Sequence, residues 1–159
     1  MGIRWKTFEM PKRLEALKDT LSPTYGKFIA EPFERGYGTT VGNALRRVLI
    51  SSIDGAAVTN VKIEGMLHEF STIEGVLEDG AQIVLNVKKL ILRYHGKEPK
   101  KITIDVKRKG EVTARDIVAD ETVEVINPEL HICTLTKDAR FLIEMEVERG
   151  RGYVLADRN

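Results

Sequence analysis

Residues 34–52 read ERGYGTTVGNALRRVLISS, and this stretch decides the fold: a glycine-rich turn leads into an amphipathic helix. The pattern predicts a helix over residues 39–52, with Thr39 or Thr40 as its N-cap. At about 100° per residue, its main apolar face collects Val41, Leu45, Val48 and Leu49, together with Ser52. We expect such a face to pack against a core or against a partner helix.

The opposite face of this helix collects Asn43, Arg47 and Ile50, at spacings of four and three residues. An isoleucine beside an arginine, away from the apolar stripe, is unusual for a face that contacts only water. From the residues alone, two interpretations remain open: an exposed face with one stray aliphatic side chain, or a surface that another protein covers.

The sequence contains no signature of a catalytic, phosphate-binding or metal-binding site. Glycines occur at positions 36, 38 and 42, but a dinucleotide-binding loop would need another glycine at position 41, where this chain has Val41. A nucleotide-binding P-loop would need Gly-Lys-Ser/Thr before the helix, and this sequence is absent. The three glycines are interpreted as turn and close-packing positions. His131 and Cys133 lie two apart, which predicts a core strand with a buried thiol rather than a metal site. We therefore expect no catalytic residue, metal or cofactor in this chain.

Composition indicates an ordinary globular protein. The chain has 159 residues, 42% of them hydrophobic and 31% charged, with a formal net charge of +1. Such a balance gives no overall attraction to nucleic acid or to a membrane surface. The single cysteine, Cys133, fits a reducing compartment, and no apolar run reaches the roughly 18 residues of a membrane span. We expect a cytoplasmic protein.

The remaining pattern predicts an α+β fold with mostly antiparallel strands. Residues 12–19 have helical propensity, residues 22–26 form a turn and residues 27–31 a strand that ends at Pro32. Turns are predicted at Asp54-Gly55 and Lys109-Gly110. Strands are predicted over residues 57–63, 91–95, 102–107, 122–126, 131–135 and 140–147.

A second helix is predicted within residues 75–90. Its apolar side chains are Leu77, Ala81, Val84 and Leu85, and the acidic residues Glu78 and Asp79 lie near its start, where they favour a helix dipole. Gly80 argues against the first turn, because glycine costs about 1 kcal/mol relative to alanine in a helix.

Positive charge is concentrated between residues 88 and 109, where nine lysines and arginines face two acidic residues. This run suggests an alternative function as a stand-alone nucleic-acid-binding module. Tyr94 is its only aromatic residue, which is few for stacking on single-stranded nucleic acid. A solvated rim or a protein-facing patch is the preferred interpretation.

Four blocks in order carry a family resemblance. They are residues 34–52, residues 65–72 (GMLHEFST) with 74–76 (EGV), residues 85–88 (LNVK) and residues 149–154 (RGRGYV). From about residue 31 to residue 154 the chain resembles the amino-terminal domain of the bacterial RNA polymerase α subunit.

The resemblance implies a non-catalytic subunit that forms a homodimer and a platform for the β and then the β′ subunit. The nucleotidyltransferase site and its magnesium are expected in those larger subunits. By resemblance, Asn43, Arg47 and Ile50 contact β, Lys88 contacts β′, and Val41, Leu45, Val48 and Leu49 form the dimer interface.

The resemblance also implies a domain organisation. It further implies that residues 12–19, despite their helical propensity, form one strand of a hairpin. Residues 1–53 correspond to the first part of the dimerisation domain, a strand hairpin plus a helix. Residues 54–159 correspond to a β-rich inserted domain with one helix, incomplete at its C-terminal end. The expectation is a truncated fragment without the DNA-binding carboxy-terminal domain, so that it approaches DNA only indirectly.

Overall fold

Two helices and ten strands are formed by residues 8–158, which the computed structural model describes apart from the side chain of Asp157. The predicted α+β class is confirmed. The chain divides into two compact units, Met1–Ser51 and Ser52–Asn159. Neither of the two helices in the described part has the length and apolar character needed to span a membrane.

The first unit contains the predicted hairpin. Strand β1 (Glu15–Ala16) pairs antiparallel with β2 (Phe28–Ile29). The turn between them is closed by a hydrogen bond from the Ser22 N–H to the Tyr25 carbonyl at 2.8 Å. Strand pairing therefore overrides the helical propensity at Glu15–Ala16, whereas Lys18–Thr20 form a single turn of 3₁₀ helix.

Helix α1 (Tyr37–Ser51) follows. It begins before the predicted threonine caps, so that prediction was wrong. Gly36 has a φ of +82°, and the Tyr37 N–H donates to the Glu34 carbonyl at 2.9 Å. A left-handed glycine turn starts the helix, while the Thr40 hydroxyl donates back to the Gly36 carbonyl at 3.5 Å.

Helix α2 (Gly80–Val87) is shorter than the range predicted for it. Asp79 is its N-cap, accepting from the Gln82 N–H at 2.7 Å, and Gln82 Oε1 accepts from the Asp79 N–H at 3.4 Å. This reciprocal capping box fixes the start of the helix.

The apolar face predicted for α2 was wrong. The buried residues are Gly80, Ile83 and Val87, whereas Leu77 is 70% exposed and Leu85 57% exposed. A Cβ at position 80 would lie 2.6 Å from Met66 Sδ and 2.7 Å from the Glu69 carbonyl oxygen. Gly80 is therefore required by close packing rather than a weakness of the helix.

We expect Gly80→Ala to destabilise the second unit by about 1–3 kcal/mol, the usual cost of overpacking. The direction opposes intrinsic helix propensity, which favours alanine by about 1 kcal/mol. Urea unfolding followed by circular dichroism measures the difference. Gly42→Ala is the matched control, because a Cβ at Gly42 inside α1 meets no atom within 4 Å. Equal stability of Gly80→Ala and wild type would contradict the close approach.

The second unit is built on a six-stranded sheet with the order β7-β5-β10-β3-β4-β8, in which all neighbouring strands are antiparallel. Its strands are β3 (Asp54–Ile63), β4 (Leu92–Tyr94), β5 (Lys100–Lys107), β7 (Ile117–Val118), β8 (Val123–Val125) and β10 (Arg140–Arg151). A separate pair is formed by β6 (Gly110–Thr113) and β9 (His131–Leu135).

The six strands predicted in this unit are confirmed, while β6 and β7 were missed. The predicted turn at Asp54-Gly55 was wrong, because these residues open β3 and pair with Arg151 and Gly150. The turn at Lys109-Gly110 is confirmed by the positive φ of Gly110, +120°.

A β-bulge interrupts β3. Val58 pairs with Val147 and Val61 with Met145, so both valines pack against the core although they lie three residues apart. The register shifts between Glu146 and Val147, which leaves one extra residue on β3. The bulge thereby keeps the apolar residues of both halves of the strand on one face.

The core of the second unit lies between the six-stranded sheet and a layer made by α2, β6 and β9. The largest fully buried side chains are Phe141, Ile83, Ile102, Ile104, Ile132, Leu135, Ile143, Met145, Val112, Val147 and Cys133. Among the described residues, every buried side-chain nitrogen or oxygen has a hydrogen-bond partner.

Candidate protein-interaction surfaces

Helix α1 exposes its main apolar face. Leu45, Val48 and Leu49 are 58%, 55% and 60% exposed, and Val41 is half-buried. None of the helix's fifteen residues is buried. An amphipathic helix gains its stability mainly from burying such a face, so this arrangement is typical of a surface that associates with another chain.

The opposite face of α1 places Asn43, Arg47 and Ile50 together in solvent, with Ile50 59% exposed. Arg46 and Arg47 are the charged residues of the helix, which contains no acidic side chain. The face combines an amide, a guanidinium and an aliphatic side chain. Such a mixture can hydrogen-bond and pack at once, as protein interfaces require.

The start of α1 is held by aromatic packing. The rings of Phe8 and Tyr37 meet edge to face with centroids 4.9 Å apart, and Phe33 lies 6.4 Å from Tyr37. The Glu34 N–H also donates to the Glu9 carbonyl at 2.9 Å. These contacts fix the glycine turn from which the two faces of the helix are presented.

The glycines of this stretch differ in role. Gly36 supplies the turn, as predicted, and a Cβ at Gly38 would lie 3.4 Å from the Phe33 ring. The predicted close packing is not found at Gly42, where a Cβ would meet no atom within 4 Å. Gly42 lies at the edge of the apolar face, beside Leu49.

Lys88 forms a separate candidate surface in the second unit. It is the C-cap residue of α2, its N–H donates to the Val84 carbonyl at 3.0 Å, and its side chain is exposed. Neighbouring Lys89 donates to Asn86 Oδ1 at 3.2 Å. Lys88 makes no ion pair with any of residues 8–158.

Three of the nine basic residues in the run 88–109 form ion pairs with acidic residues from later in the chain. Arg93 pairs with Glu124 at 2.7 Å, Arg108 pairs with Asp116 at 2.8 Å, and Lys100 pairs with Asp120. The hydrogen bond from Lys100 is the main cause that lowers the pKa of Asp120 to about 2. The other six basic residues of the run, all lysines, make no ion pair with residues 8–158.

Glu78 has a role that the sequence reasoning missed. Its Oε2 accepts from the Thr134 N–H at 2.6 Å, and its Oε1 accepts from the Thr134 hydroxyl at 3.1 Å and lies 2.9 Å from His131 Nε2. The carboxylate therefore joins the segment before α2 to β9. Glu78 and His131 are 53 residues apart, so no local sequence signal connects them.

The prediction of a buried thiol in β9 is confirmed. Cys133 is fully buried, and burial raises its pKa to about 12, which makes the thiol unreactive. His131 of the same strand lies outside this core, because its side chain is 38% exposed and faces two carboxylates. Within residues 8–158, no three His, Cys, Asp or Glu side chains are grouped to hold a metal ion.

Three exposed apolar side chains between β3 and α2 were also missed. Leu67 and Phe70 are 94% and 76% exposed in the loop between β3 and α2, and Leu77 is 70% exposed just before the helix. The loop is fixed at its end by the Gly80 N–H, which donates to the Ser71 carbonyl at 3.1 Å. The sequence signal was the GMLHEFST block (residues 65–72), whose apolar residues lie in a loop rather than in a helix or strand.

Comparison with known proteins gives consistent matches. Residues 61–159 match the family described as the RNA polymerase Rpb3/RpoA insert domain. Proteins named DNA-directed RNA polymerase subunit alpha are similar to this chain. The protein of Syntrophomonas wolfei is 56% identical over 94% of this chain and 48% of its own length. The protein of Geobacter metallireducens is 54% identical over 100% of this chain and 47% of its own length. The corresponding protein of Desulfovibrio desulfuricans is 54% identical over 96% of this chain and 44% of its own length. The chain thus spans about half the length of these curated relatives.

Proposed function

The chain belongs to the RNA polymerase α-subunit family, matched through the Rpb3/RpoA insert domain, and we propose from this premise that it is an assembly element of DNA-directed RNA polymerase. The observation that carries the proposal is the exposure of both faces of α1, of which no residue is buried. A helix with two exposed, chemically different faces suits a protein that joins two partners.

The first partner is a second copy of this chain, seated on Val41, Leu45, Val48 and Leu49. Covering a leucine or valine side chain contributes about 1.5–3 kcal/mol when it is fully buried. In a two-fold symmetric dimer each residue is counted twice, which strengthens a small helical interface. In this proposal, residues 1–53 belong to the dimerisation domain and residues 54–159 to the inserted domain.

The second set of partners is the larger polymerase subunits. The face formed by Asn43, Arg47 and Ile50 contacts β, with the guanidinium of Arg47 as its central group. The exposed ammonium of Lys88 contacts β′. Catalytic residues and the catalytic magnesium belong to those subunits, so this chain contributes assembly in the cytoplasm rather than chemistry.

The test is the affinity of the chain for purified β subunit. We expect Arg47→Ala to weaken binding by about 2 kcal/mol, or roughly thirty-fold, as is usual for an arginine at the centre of an interface. Titration of fluorescently labelled chain with β gives the affinity, and size-exclusion chromatography with light scattering gives the stoichiometry.

The matched control is Arg93→Ala in the second unit. The Arg93 side chain is 60% exposed, so this variant also removes a surface arginine. Its affinity for β is expected to equal that of wild type. Equal affinities of wild type and Arg47→Ala would contradict the proposed β surface, and absence of any complex with β would contradict the assembly function of this chain.

A further inference from the structure

A histidine lies between two carboxylates in the second unit. His131 Nε2 is 2.9 Å from Glu78 Oε1, and His131 Nδ1 is 2.8 Å from Glu111 Oε1. The three side chains come from the segment before α2, from β6 and from β9. The cluster therefore joins three separate parts of the chain through one ring.

The hydrogen-bond chemistry of this cluster depends on one proton. An ionised carboxylate can only accept hydrogen bonds, and a neutral imidazole has one donor and one acceptor nitrogen. Both nitrogens can donate to carboxylates only when the ring is doubly protonated. A neutral His131 leaves a lone pair facing one of the two carboxylates, which is repulsive.

We propose that His131 is a proton-controlled clamp: the protonated ring holds Glu111 of β6 and Glu78 together, and loss of its proton releases Glu111 while Glu78 stays bound. This inference concerns the second unit alone and is independent of the assembly function proposed above.

The two carboxylates differ in what else holds them. The Glu78 side chain is 13% exposed and accepts two further hydrogen bonds from Thr134. The Glu111 side chain is 60% exposed and makes no other side-chain hydrogen bond with residues 8–158. Water can replace the hydrogen bond between His131 and the exposed Glu111 carboxylate, but not the hydrogen bond between His131 and the less exposed Glu78 carboxylate. The neutral ring therefore keeps its remaining proton on Nε2, toward Glu78.

The charges around the ring are few. Glu78 faces the ring from the segment before α2, and Glu111 faces it from β6. Lys89, just after the end of α2, lines a surface depression of about 400 Å³ together with Glu78 and His131. The Lys89 ammonium donates to Asn86 Oδ1 at 3.2 Å. Nearby Asp116 is paired with Arg108 at 2.8 Å. The two carboxylates are thus the groups that respond directly to the charge of His131.

The pKa directions agree with this geometry. Burial acts against the charged ring, but hydrogen bonds and charge from Glu78 and Glu111 outweigh it and raise the pKa of His131 above 6.5. Burial also acts against the Glu78 carboxylate, but hydrogen bonds from Thr134 and His131 lower its pKa below 4.5.

The signs define a pH window. Stabilisation by His131 is complete below its unfolded pKa of 6.5 and is lost as the pH rises through the higher folded value. Stabilisation by Glu78 is complete above 4.5 and is lost as the pH falls through the lower folded value. The clamp is therefore strongest between pH 4.5 and 6.5.

Nuclear magnetic resonance titration of the histidine ring nitrogens tests the clamp, with the His131→Gln spectrum identifying the signals of His131. We expect a wild-type midpoint above pH 6.5 and, at higher pH, a neutral tautomer protonated on Nε2. Glu111→Gln should weaken proton binding to His131 about two- to five-fold, as befits an exposed pair. The control Glu129→Gln changes an exposed carboxylate paired with Arg115 and should leave the midpoint unchanged.

Two results would overturn the proposal. An unchanged midpoint in Glu111→Gln means that the ring is not shared between the two carboxylates. A neutral tautomer protonated on Nδ1 means that Glu78, rather than Glu111, is released. Both readouts come from the folded protein, so loss of stability in a variant cannot imitate either result.

Discussion

Replacing Leu45 with aspartate is expected to abolish self-association of the chain while leaving the monomer folded. Leu45 is 58% exposed, so the monomer tolerates a polar side chain at this position. In a symmetric dimer the change removes about 1.5 kcal/mol of apolar burial from each copy, or roughly 100-fold in affinity, before any cost of burying charge. Light scattering across a concentration series measures the monomer–dimer equilibrium.

The matched control for this experiment is Leu85→Asp. Leu85 lies in the other helix and is 57% exposed, so the substitution has the same chemistry at nearly the same exposure. We expect it to dimerise as wild type does. A wild-type chain that is monomeric throughout the concentration series, or equal effects of the two variants, would contradict the dimer face assigned to α1.

The largest loss of stability is expected from Phe141→Ala. Phe141 is 2% exposed in β10, the strand that pairs with both β3 and β5. Truncating a buried phenylalanine removes its apolar contacts and leaves a cavity, at a cost of about 3–5 kcal/mol. Urea unfolding monitored by circular dichroism gives the free energy of unfolding.

Leu142→Ala is the control for the register of β10. Leu142 is the next residue of the same strand, points to the other face of the sheet and is only partly buried. We expect a cost below about 1.5 kcal/mol, because less apolar surface is lost. If Leu142→Ala destabilised the protein more than Phe141→Ala, β10 would have to be shifted by one residue.

The faces of α1 could be predicted from its sequence, whereas its first residue could not. Helical periodicity alone places Leu45 and Arg47 on opposite faces. The start depends on the left-handed turn at Gly36 and on the contact of Tyr37 with Phe8, which lies far upstream. Thr39 and Thr40 were the N-caps that local sequence favoured. Because of these two interactions, the helix starts earlier, at Tyr37.

Other features depended on neighbours that the sequence does not display. The need for Gly80 arises from Met66 and the Glu69 carbonyl, which the loop brings against the helix. The net charge of residues 88–109 could not show that Arg93 pairs with Glu124, which lies 31 residues later in the chain. Strands β6 and β7, of four and two residues, are too short for alternation to be recognised.

The position of β10 has a consequence for synthesis of the chain. This strand is the last of those in residues 8–158, yet it lies in the sheet between β5 and β3. Asp54 and Arg151, which close the β3–β10 ladder, are 97 residues apart. At about 5–20 residues per second, β3 leaves the ribosome roughly 5–20 s before its partner. Until then its long pairing edge is open, so the second unit completes its fold in one late step rather than strand by strand.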